Sequence, residues 1–214
     1  MRAIESVPRA VKPRNEIYAG ARYAAIVDPR AASLRDAVYR LIPRGARVIE
    51  LACGTGDQLM RLAPRIREGV GVDISDRMIG YARRAATRRG LSNLRFELAD
   101  AADLSPFPDK GFDVATASLF FHETPGDSAL AALLEMKRMA PLLVIADFGS
   151  APLPGRAWVN AVEFLAGFRH FINFRAYRRG GGMPALMERA GLVCGEAARV
   201  FGGTVTIWTC RADH

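Results

Sequence analysis

Residues 47–57, which read RVIELACGTGD, constrain the fold of this chain more than any other stretch. Their first half is a compact apolar run, which is typical of a buried parallel strand. Their second half is a tight turn that contains Gly54 and Gly56, and a helical pattern opens at Asp57. A strand, a glycine turn and a helix in this order predict the opening βαβ unit of a mostly parallel α/β sheet.

The glycine turn indicates what kind of ligand could lie there. Glycine has no side chain, so the backbone can pass close to a ligand, and the helix start offers unpaired N–H groups. The turn is not the dinucleotide pattern G-x-G-x-x-G, because Leu59 stands where the third glycine would be. The phosphate-binding pattern G-x-x-x-x-G-K-[ST] is absent as well. Such a turn suits a nucleoside without a pyrophosphate.

A carboxylate supports this interpretation. Asp73 ends the next predicted strand, residues 69–73. It lies about 20 residues beyond the glycine turn, where such folds place the acid that accepts hydrogen bonds from ribose hydroxyls. The sequence therefore predicts that a ribose lies across the ends of the first two strands.

Four stretches in this order resemble the class I S-adenosylmethionine-dependent methyltransferases, of the kind that includes the ubiquinone and menaquinone C-methyltransferases. They are VIELACGTG at 48–56, GVDISDRM at 71–78, ADAADLSPF at 99–107 and FDV at 112–114. The resemblance implies an α/β, Rossmann-like three-layer sandwich. Its seven-stranded sheet would be mostly parallel with an antiparallel last strand. It also implies S-adenosylmethionine as cofactor and no metal.

The resemblance assigns roles to residues at the strand ends. Asp73 would hold the ribose hydroxyls, while Asp100 and the backbone of Ala101 would read adenine, with Ile74 against the ring. Asp100 has an alternative role, which is to cap a turn. The full set of residues predicted to bind the cofactor is Glu50, Ala52, Gly54, Gly56, Asp73, Ile74, Met78, Asp100, Ala101 and Ser118.

The glycine turn would receive the methionine part of the cofactor. Gly54 and Gly56 would let the backbone approach it, and Glu50 would orient the turn and the cofactor's amino group. Ala52 replaces a glycine that the family often has, so one methyl group could crowd the turn slightly. These roles follow from the resemblance and not from spacing.

The loop after the fourth predicted strand, residues 118–124, would line the substrate side of the site. His122 is the candidate general base, since a histidine can take a proton at neutral pH. The alternative, which we weigh more heavily, is that His122 only orients the loop, and Glu123 carries the same two interpretations. The loop has neither an Asn-Pro-Pro-Tyr motif nor a cysteine, which argues against adenine N-methylation and cytosine C5 chemistry.

The length of 214 residues suits one domain. Within it we predict an N-terminal helical lid at 1–45, a cofactor-binding core at 46–147, a substrate cover at 148–182, and a last helix with a C-terminal hairpin at 183–214. Tyr18 and Tyr23 could fold over the cofactor, or they could belong to a surface tail. The cover mixes arginines with aromatic residues at 169–179. It could hold an apolar body with an anionic tip, lie on a membrane surface, stack on RNA bases, or simply pack on the sheet.

The net charge of +8 favours anionic partners, although solvated helices such as the one carrying Arg83 and Arg88 explain it more simply. The three cysteines, widely spaced, fit small buried side chains in a reducing cytoplasm. No signal peptide or membrane-spanning run is visible, so we predict a cytoplasmic location.

The predicted activity is methyl transfer from S-adenosylmethionine to a small-molecule acceptor that is apolar, quinone-like or lipid-like, or anionic. The alternatives are an RNA-directed methyltransferase and a cofactor-binding regulator without catalysis. Nucleic acid is thus a partner that we consider but do not favour. Contact with a membrane surface is a further alternative. The sequence predicts neither the acceptor atom nor the oligomeric state.

Overall fold

The computed structural model describes residues 24–25, 28–149 and 168–212, with the backbone alone at 168–170. Seven strands form one sheet: β1 Arg47–Leu51, β2 Glu68–Asp73, β3 Leu94–Leu98, β4 Val114–Ser118, β5 Leu142–Phe148, β6 Val193–Val200 and β7 Val205–Arg211. The longer helices of these ranges are α1 Ala32–Leu41, α2 Asp57–Leu62, α3 Asp76–Arg88, α4 Gly126–Met139, α5 Phe168–Arg179 and α6 Gly182–Arg189. Short 3-10 turns lie at Phe121–Glu123 and Phe201–Gly203.

The strand order is β3-β2-β1-β4-β5-β7-β6. The pairs among β1 to β5 are parallel, and β7 runs antiparallel to both of its neighbours, β5 and β6. This confirms the predicted seven-stranded, mostly parallel sheet with an antiparallel last strand. The strands β1 to β3 follow one another in one direction across the sheet, and the strands from β4 onward lie on the other side of β1. The strand order therefore reverses between β1 and β4. Open α/β sheets bind ligands beside such a point, outside the carboxyl ends of the strands.

The side chains of β1 point alternately to the two faces of the sheet, and an apolar core lies on each face. Val48 packs with α1, α2 and α3, whereas Ile49 packs with α4 and α6. Successive side chains of a strand point to opposite faces, and both faces here are covered by helices. The result is a three-layer sandwich with a fully buried central strand, as the compact apolar run predicts.

Element boundaries differ from the predicted ones by a few residues. Ser75 caps α3 as expected, because its hydroxyl oxygen accepts the N–H of Met78 at 3.4 Å. Strand β3 ends at Leu98 and not at Asp100. The backbone turns there, since the Asp100 carboxylate accepts the N–H of Ala102 at 2.9 Å.

The C-terminal hairpin corrects the prediction for two of the three cysteines. Cys194 in β6 and Cys210 in β7 face each other in the ladder and form a disulfide, with their Cα atoms 4.0 Å apart. They are therefore not separate thiols. Cys53 is free and buried, as predicted, and burial raises the pKa of its thiol well above the usual value.

Several predictions fall on residues outside the described ranges. These are the lid tyrosines Tyr18 and Tyr23 and residues 150–167 of the substrate cover. The division into lid, core, cover and hairpin stays a prediction, as does the cytoplasmic location. Among the described residues, no helix combines the length and the apolar character needed to cross a membrane.

Candidate functional site

The glycine turn between β1 and α2 has a left-handed backbone at three positions. The φ angles are +51° at Ala52, +54° at Gly54 and +74° at Gly56. An L-residue loses roughly 1–2 kcal/mol in this conformation, so the backbone at Ala52 is strained. The strain observed at Ala52 lies in its backbone, and the crowding by its methyl group stays a prediction.

The two glycines serve different purposes. A Cβ built on Gly54 would meet no atom of the described chain within 4 Å, so this part of the turn is open to a ligand. A Cβ on Gly56 would lie 2.5 Å from Cε1 of Phe96 and 3.2 Å from Cβ of Ala82. Gly56 therefore lets the turn pack against β3 and α3, while Gly54 leaves the backbone accessible.

Asp73 joins the glycine turn to the end of β2. One carboxylate oxygen accepts the N–H of Gly54 at 2.8 Å and the other accepts the N–H of Ser75 at 2.8 Å. Each oxygen keeps a second lone pair, so the carboxylate can also accept hydrogen bonds from a ligand. Burial raises the pKa of Asp73, the two N–H bonds oppose this shift, and the negative charge of Glu123 adds to it.

The residues after Asp73 form an apolar shelf and a packed helix start. Ile74 is 50% exposed, so it offers an apolar surface that suits a flat ring. Met78 is buried, with its backbone N–H bonded to Ser75. Ile74 thus has room to contact the adenine ring, whereas the side chain of Met78 lies in the protein interior.

Glu50 lies on β1 directly below the glycine turn and is 2% exposed. Its Oε2 atom is buried and has no hydrogen-bond partner among the described residues. Burial raises the pKa of Glu50 to about 8; Arg35 lowers it, and Asp57 is the first of three carboxylates that raise it further. A buried polar atom without a partner is uncommon in folded proteins and points to a missing ligand group.

At the end of β3, Asp100 is exposed and Ala101 is buried. Asp100 does cap a turn, through its bond to the N–H of Ala102. This bond does not exclude the adenine role, because a carboxylate has several acceptor positions. Both interpretations of Asp100 therefore stay open.

The end of β4 supplies a second polar atom without a partner. The hydroxyl oxygen of Ser118 is buried and makes no hydrogen bond to any residue that the structure describes. The next residue, Leu119, has a left-handed backbone with φ +54°, while its N–H is bonded to the carbonyl of Ala146 on β5 at 2.8 Å. Such strain is found where a loop must present its residues in one particular geometry.

His122 forms a buried pair with Asp147, which lies near the carboxyl end of β5. Their Nδ1 and Oδ1 atoms are 2.8 Å apart, and the two residues are 4% and 0% exposed. The Asp147 carboxylate also accepts the N–H groups of Phe121 and Phe148, both at 2.7 Å. The pair therefore attaches the loop after β4 to β5.

An aromatic group surrounds this pair. The ring of His122 meets Phe148 edge-on, with centroids 4.7 Å apart, and Phe174 of α5 lies 6.2 Å away. Helix α5 is held here because Asn173 donates to the carbonyl of Glu123 at 2.7 Å. The described part of the predicted substrate cover thus packs on the loop after β4.

The sequence-based prediction missed four residues beside the glycine turn. Asp28, Arg35, Thr55 and Asp57 are linked there by ion pairs and a hydrogen bond. Asp147 was missed as well. The position of Asp147 at a strand end on the ligand side was a usable signal, whereas no spacing rule connects residue 28 to residue 55. Within the described ranges, no group of side chains has the composition of a metal site.

Comparisons with known proteins agree with this geometry. A family model described as "Methyltransferase domain" matches residues 48–140. A demethylmenaquinone methyltransferase from Thermus thermophilus is 38% identical over 141 residues, which cover 62% of this chain and 63% of that protein. The 27-O-demethylrifamycin SV methyltransferase of Amycolatopsis mediterranei is 30% identical over 202 residues, covering 87% of this chain and 72% of that protein.

The chain spans just under two thirds of the length of the Thermus relative. A crystal structure of a SAM dependent methyltransferase from Aquifex aeolicus superposes with a TM-score of 0.64. The match covers 91% of this chain and 98% of that one at 20% identity, which shows a shared fold. The chain therefore belongs to the class I S-adenosylmethionine-dependent methyltransferases and uses the cofactor of that family.

Proposed function

We propose that this chain transfers a methyl group from S-adenosylmethionine to a small-molecule acceptor by direct displacement. One observation carries the proposal. Glu50 keeps an unpartnered carboxylate oxygen in the interior beneath the glycine turn. The amino group of the cofactor's methionine part would pair with this oxygen, and such pairing explains why an ionisable carboxyl group is kept in the interior there.

The rest of the site supports the same orientation of the cofactor. Asp73 offers lone pairs to the ribose hydroxyls at the end of β2, and Ile74 offers an exposed apolar surface for adenine. Gly54 leaves the backbone open to the methionine part. The sulfonium is already a good leaving group, so alignment of acceptor, methyl group and sulfur, with exclusion of water, is the main task of the protein.

The acceptor we propose is apolar and quinone-like. The support is the set of half-buried apolar side chains at the ends of β4 and β5, namely Leu119, Phe120 and Phe148. The Thermus relative is a demethylmenaquinone methyltransferase, which agrees with such an acceptor. An anionic group on the acceptor would suit the exposed arginines Arg175 and Arg179 on α5.

For His122 the geometry supports the role of orienting the loop. Its ring is 4% exposed and is surrounded by Phe148 and Phe174, whereas a base must reach the proton it removes. Asp147 holds the ring by Nδ1 and also bonds the backbone of the loop. We propose that this pair sets the shape of the acceptor wall, and that proton removal is left to solvent or to the acceptor itself.

The test is a transfer assay with radiolabelled methyl donor. The purified chain is offered a quinone-like pool, a phospholipid pool and an RNA pool, with Glu50→Gln as the inactive control. Label in the quinone-like pool that disappears with Glu50→Gln supports the proposal. Label in RNA alone establishes the RNA-directed alternative instead.

Calorimetry distinguishes the remaining alternative, a regulator without catalysis. Binding of S-adenosylmethionine in the absence of turnover on every pool would favour that function. Phospholipid vesicles in the same assay test the predicted membrane contact, because the exposed arginines of α5 would bind anionic vesicles more strongly than zwitterionic ones.

A further inference from the structure

A buried ionic cluster lies between α1 and the glycine turn. Arg35 of α1 is 9% exposed, and Asp28, which precedes the helix, is 7% exposed. The guanidinium of Arg35 lies 3.7 Å from Oδ1 of Asp28 and 3.7 Å from Oδ2 of Asp57 at the start of α2. Arg61, one turn further along α2, completes the cluster with a 2.8 Å bond to Asp57.

This cluster holds the glycine turn directly. Thr55, which stands between the two glycines and is 1% exposed, donates its hydroxyl to Oδ2 of Asp28 at 2.7 Å. Gln58, which is fully buried, donates its side-chain amide to the carbonyl of Arg35 at 3.3 Å. The segment 28–35 is therefore attached to the turn and to the first residues of α2 by side-chain hydrogen bonds.

The cluster contains more polar atoms than its own bonds satisfy. Asp28 Oδ1, Arg35 Nε and Gln58 Oε1 are buried without a hydrogen bond to any described residue. Replacing a buried ion pair by well-packed apolar side chains often leaves a protein equally stable or more so. Stability alone therefore does not explain this arrangement, whereas its bonds to Thr55 and Gln58 indicate that it holds the glycine turn.

The same residues act on Glu50, which lies on the neighbouring strand β1. The positive charge of Arg35 favours its ionised form, whereas Asp28, Asp57 and Asp73 disfavour it. These four side chains come from the segment before α1, from α1, from α2 and from β2. Burial has the largest effect on the ionisation of Glu50, and these four charged side chains add to it or oppose it.

We propose that Asp28 and Arg35 are positioning residues for the cofactor: they hold the glycine turn through Thr55 and Gln58, and they adjust the charge of Glu50. This inference rests on the proposed pairing of Glu50 with the cofactor's amino group. The N-terminal segment thereby contributes to cofactor affinity from inside the protein, through residues that do not themselves touch the ligand.

The experiment measures the affinity for S-adenosylhomocysteine by calorimetry between pH 6 and 9. Affinity of the wild type rises with pH as Glu50 ionises. Arg35→Gln is expected to move the midpoint of this rise upward by about one pH unit, which weakens binding tenfold below the midpoint. Asp28→Asn keeps an acceptor for Thr55 but removes a negative charge, so it is expected to move the midpoint downward.

Three further variants serve as controls. Arg35→Lys keeps the positive charge and is expected to restore the wild-type midpoint. Arg40→Gln removes an exposed arginine from the same helix and is expected to change nothing. Thr55→Val replaces the hydroxyl group by a methyl group and so removes the hydrogen bond to Asp28 without changing a charge. Binding should therefore weaken at every pH, while the midpoint stays in place.

Thermal unfolding of each variant establishes that it is folded before binding is measured. A purely structural role predicts a uniform loss of affinity with an unmoved midpoint in Arg35→Gln and Asp28→Asn, and this result overturns the proposal. Glu50→Gln tests the pairing of Glu50 with the cofactor separately from the positioning by Asp28 and Arg35. If this variant binds as the wild type does at every pH, the pairing of Glu50 fails and the positioning proposal fails with it. If Glu50→Gln lacks the pH-dependent rise, whereas Arg35→Gln and Asp28→Asn show it with the midpoint of the wild type, the proposed function stands and the positioning proposal is refuted.

Discussion

Replacing Glu50 by glutamine is expected to stabilise the protein without cofactor while abolishing its ability to bind one. Glutamine resembles the protonated carboxyl group, which is the form that burial favours at neutral pH, since the pKa of Glu50 is raised to about 8. Buried sites for charged ligand groups commonly reduce the stability of the unliganded protein in this way. The variant therefore separates the requirement of folding from the requirement of binding.

The size of the effect follows from the shift in pKa. Glu50 has an ordinary value of 4.5, so between this pH and about 8 the folded protein keeps a proton that the unfolded chain releases. The stability contributed by this group is complete below pH 4.5 and is lost as the pH rises, by about 1.4 kcal/mol per pH unit. Between pH 5.5 and 7.5 the wild type should thus lose about 2.7 kcal/mol that Glu50→Gln retains.

The measurement is urea denaturation of the cofactor-free proteins at pH 5.5 and 7.5, followed by circular dichroism. The quantity of interest is the difference in unfolding free energy between variant and wild type, because the contributions of the other titrating groups cancel in this difference. Glu188→Gln is the matched control, since Glu188 is exposed on α6. Its difference from the wild type should not change between the two pH values.

Parallel pH profiles for Glu50→Gln and the wild type would refute the reasoning. They would mean that Glu50 is ionised in the folded protein without its ligand, so some group inside the protein already neutralises it. An unchanged affinity of Glu50→Gln for S-adenosylmethionine would contradict the second half of the prediction, whatever the stability data show.

Three further predictions concern single positions. Asp73→Asn should weaken binding of S-adenosylmethionine at least tenfold, because an amide cannot accept at both ends; calorimetry showing unchanged affinity contradicts the ribose assignment. Gly56→Ala should lower the unfolding free energy by about 2 kcal/mol or more, since the added Cβ would lie 2.5 Å from Phe96 in a left-handed backbone; urea midpoints equal to those of the wild type oppose this. His122→Asn retains an N–H for Asp147 but no base, so kcat should stay within a few-fold of the wild type; a loss of about 100-fold or more would instead identify His122 as the base.

Much of the cofactor end of the site could be predicted from local sequence. Asp73 follows an apolar strand at the distance expected of such folds, and Gly54 and Gly56 stand in a turn that only a permissive backbone can form. The separate purposes of the two glycines could not be predicted, because the one at 56 depends on Phe96, which is distant in the sequence. The assignments to ligand atoms remain predictions.

The pairing of the cysteines shows a second limit. Cys194 and Cys210 are 16 residues apart, a spacing that matches no metal motif and says nothing about strand register. The bulge between Glu196 and Ala198 and the turn at Phe201–Gly203 place the two sulfur atoms opposite each other. A single-residue change of register would have directed one of them to the other face of the sheet.

The role proposed for Glu50 followed from the resemblance to the methyltransferases. The sequence alone determined the layered α/β fold and the glycine turn, and it predicted a strand-end acid beside that turn, Asp73. These depend on short-range patterns, in which apolar periodicity, glycine and a strand-end carboxylate stand close together in the chain. The tertiary structure alone decided that Arg35 and Asp28 lie beneath that turn and that Asp147 holds His122. The physical reason is that a buried charge acts on whatever folding brings within a few ångströms of it, whatever the separation along the chain.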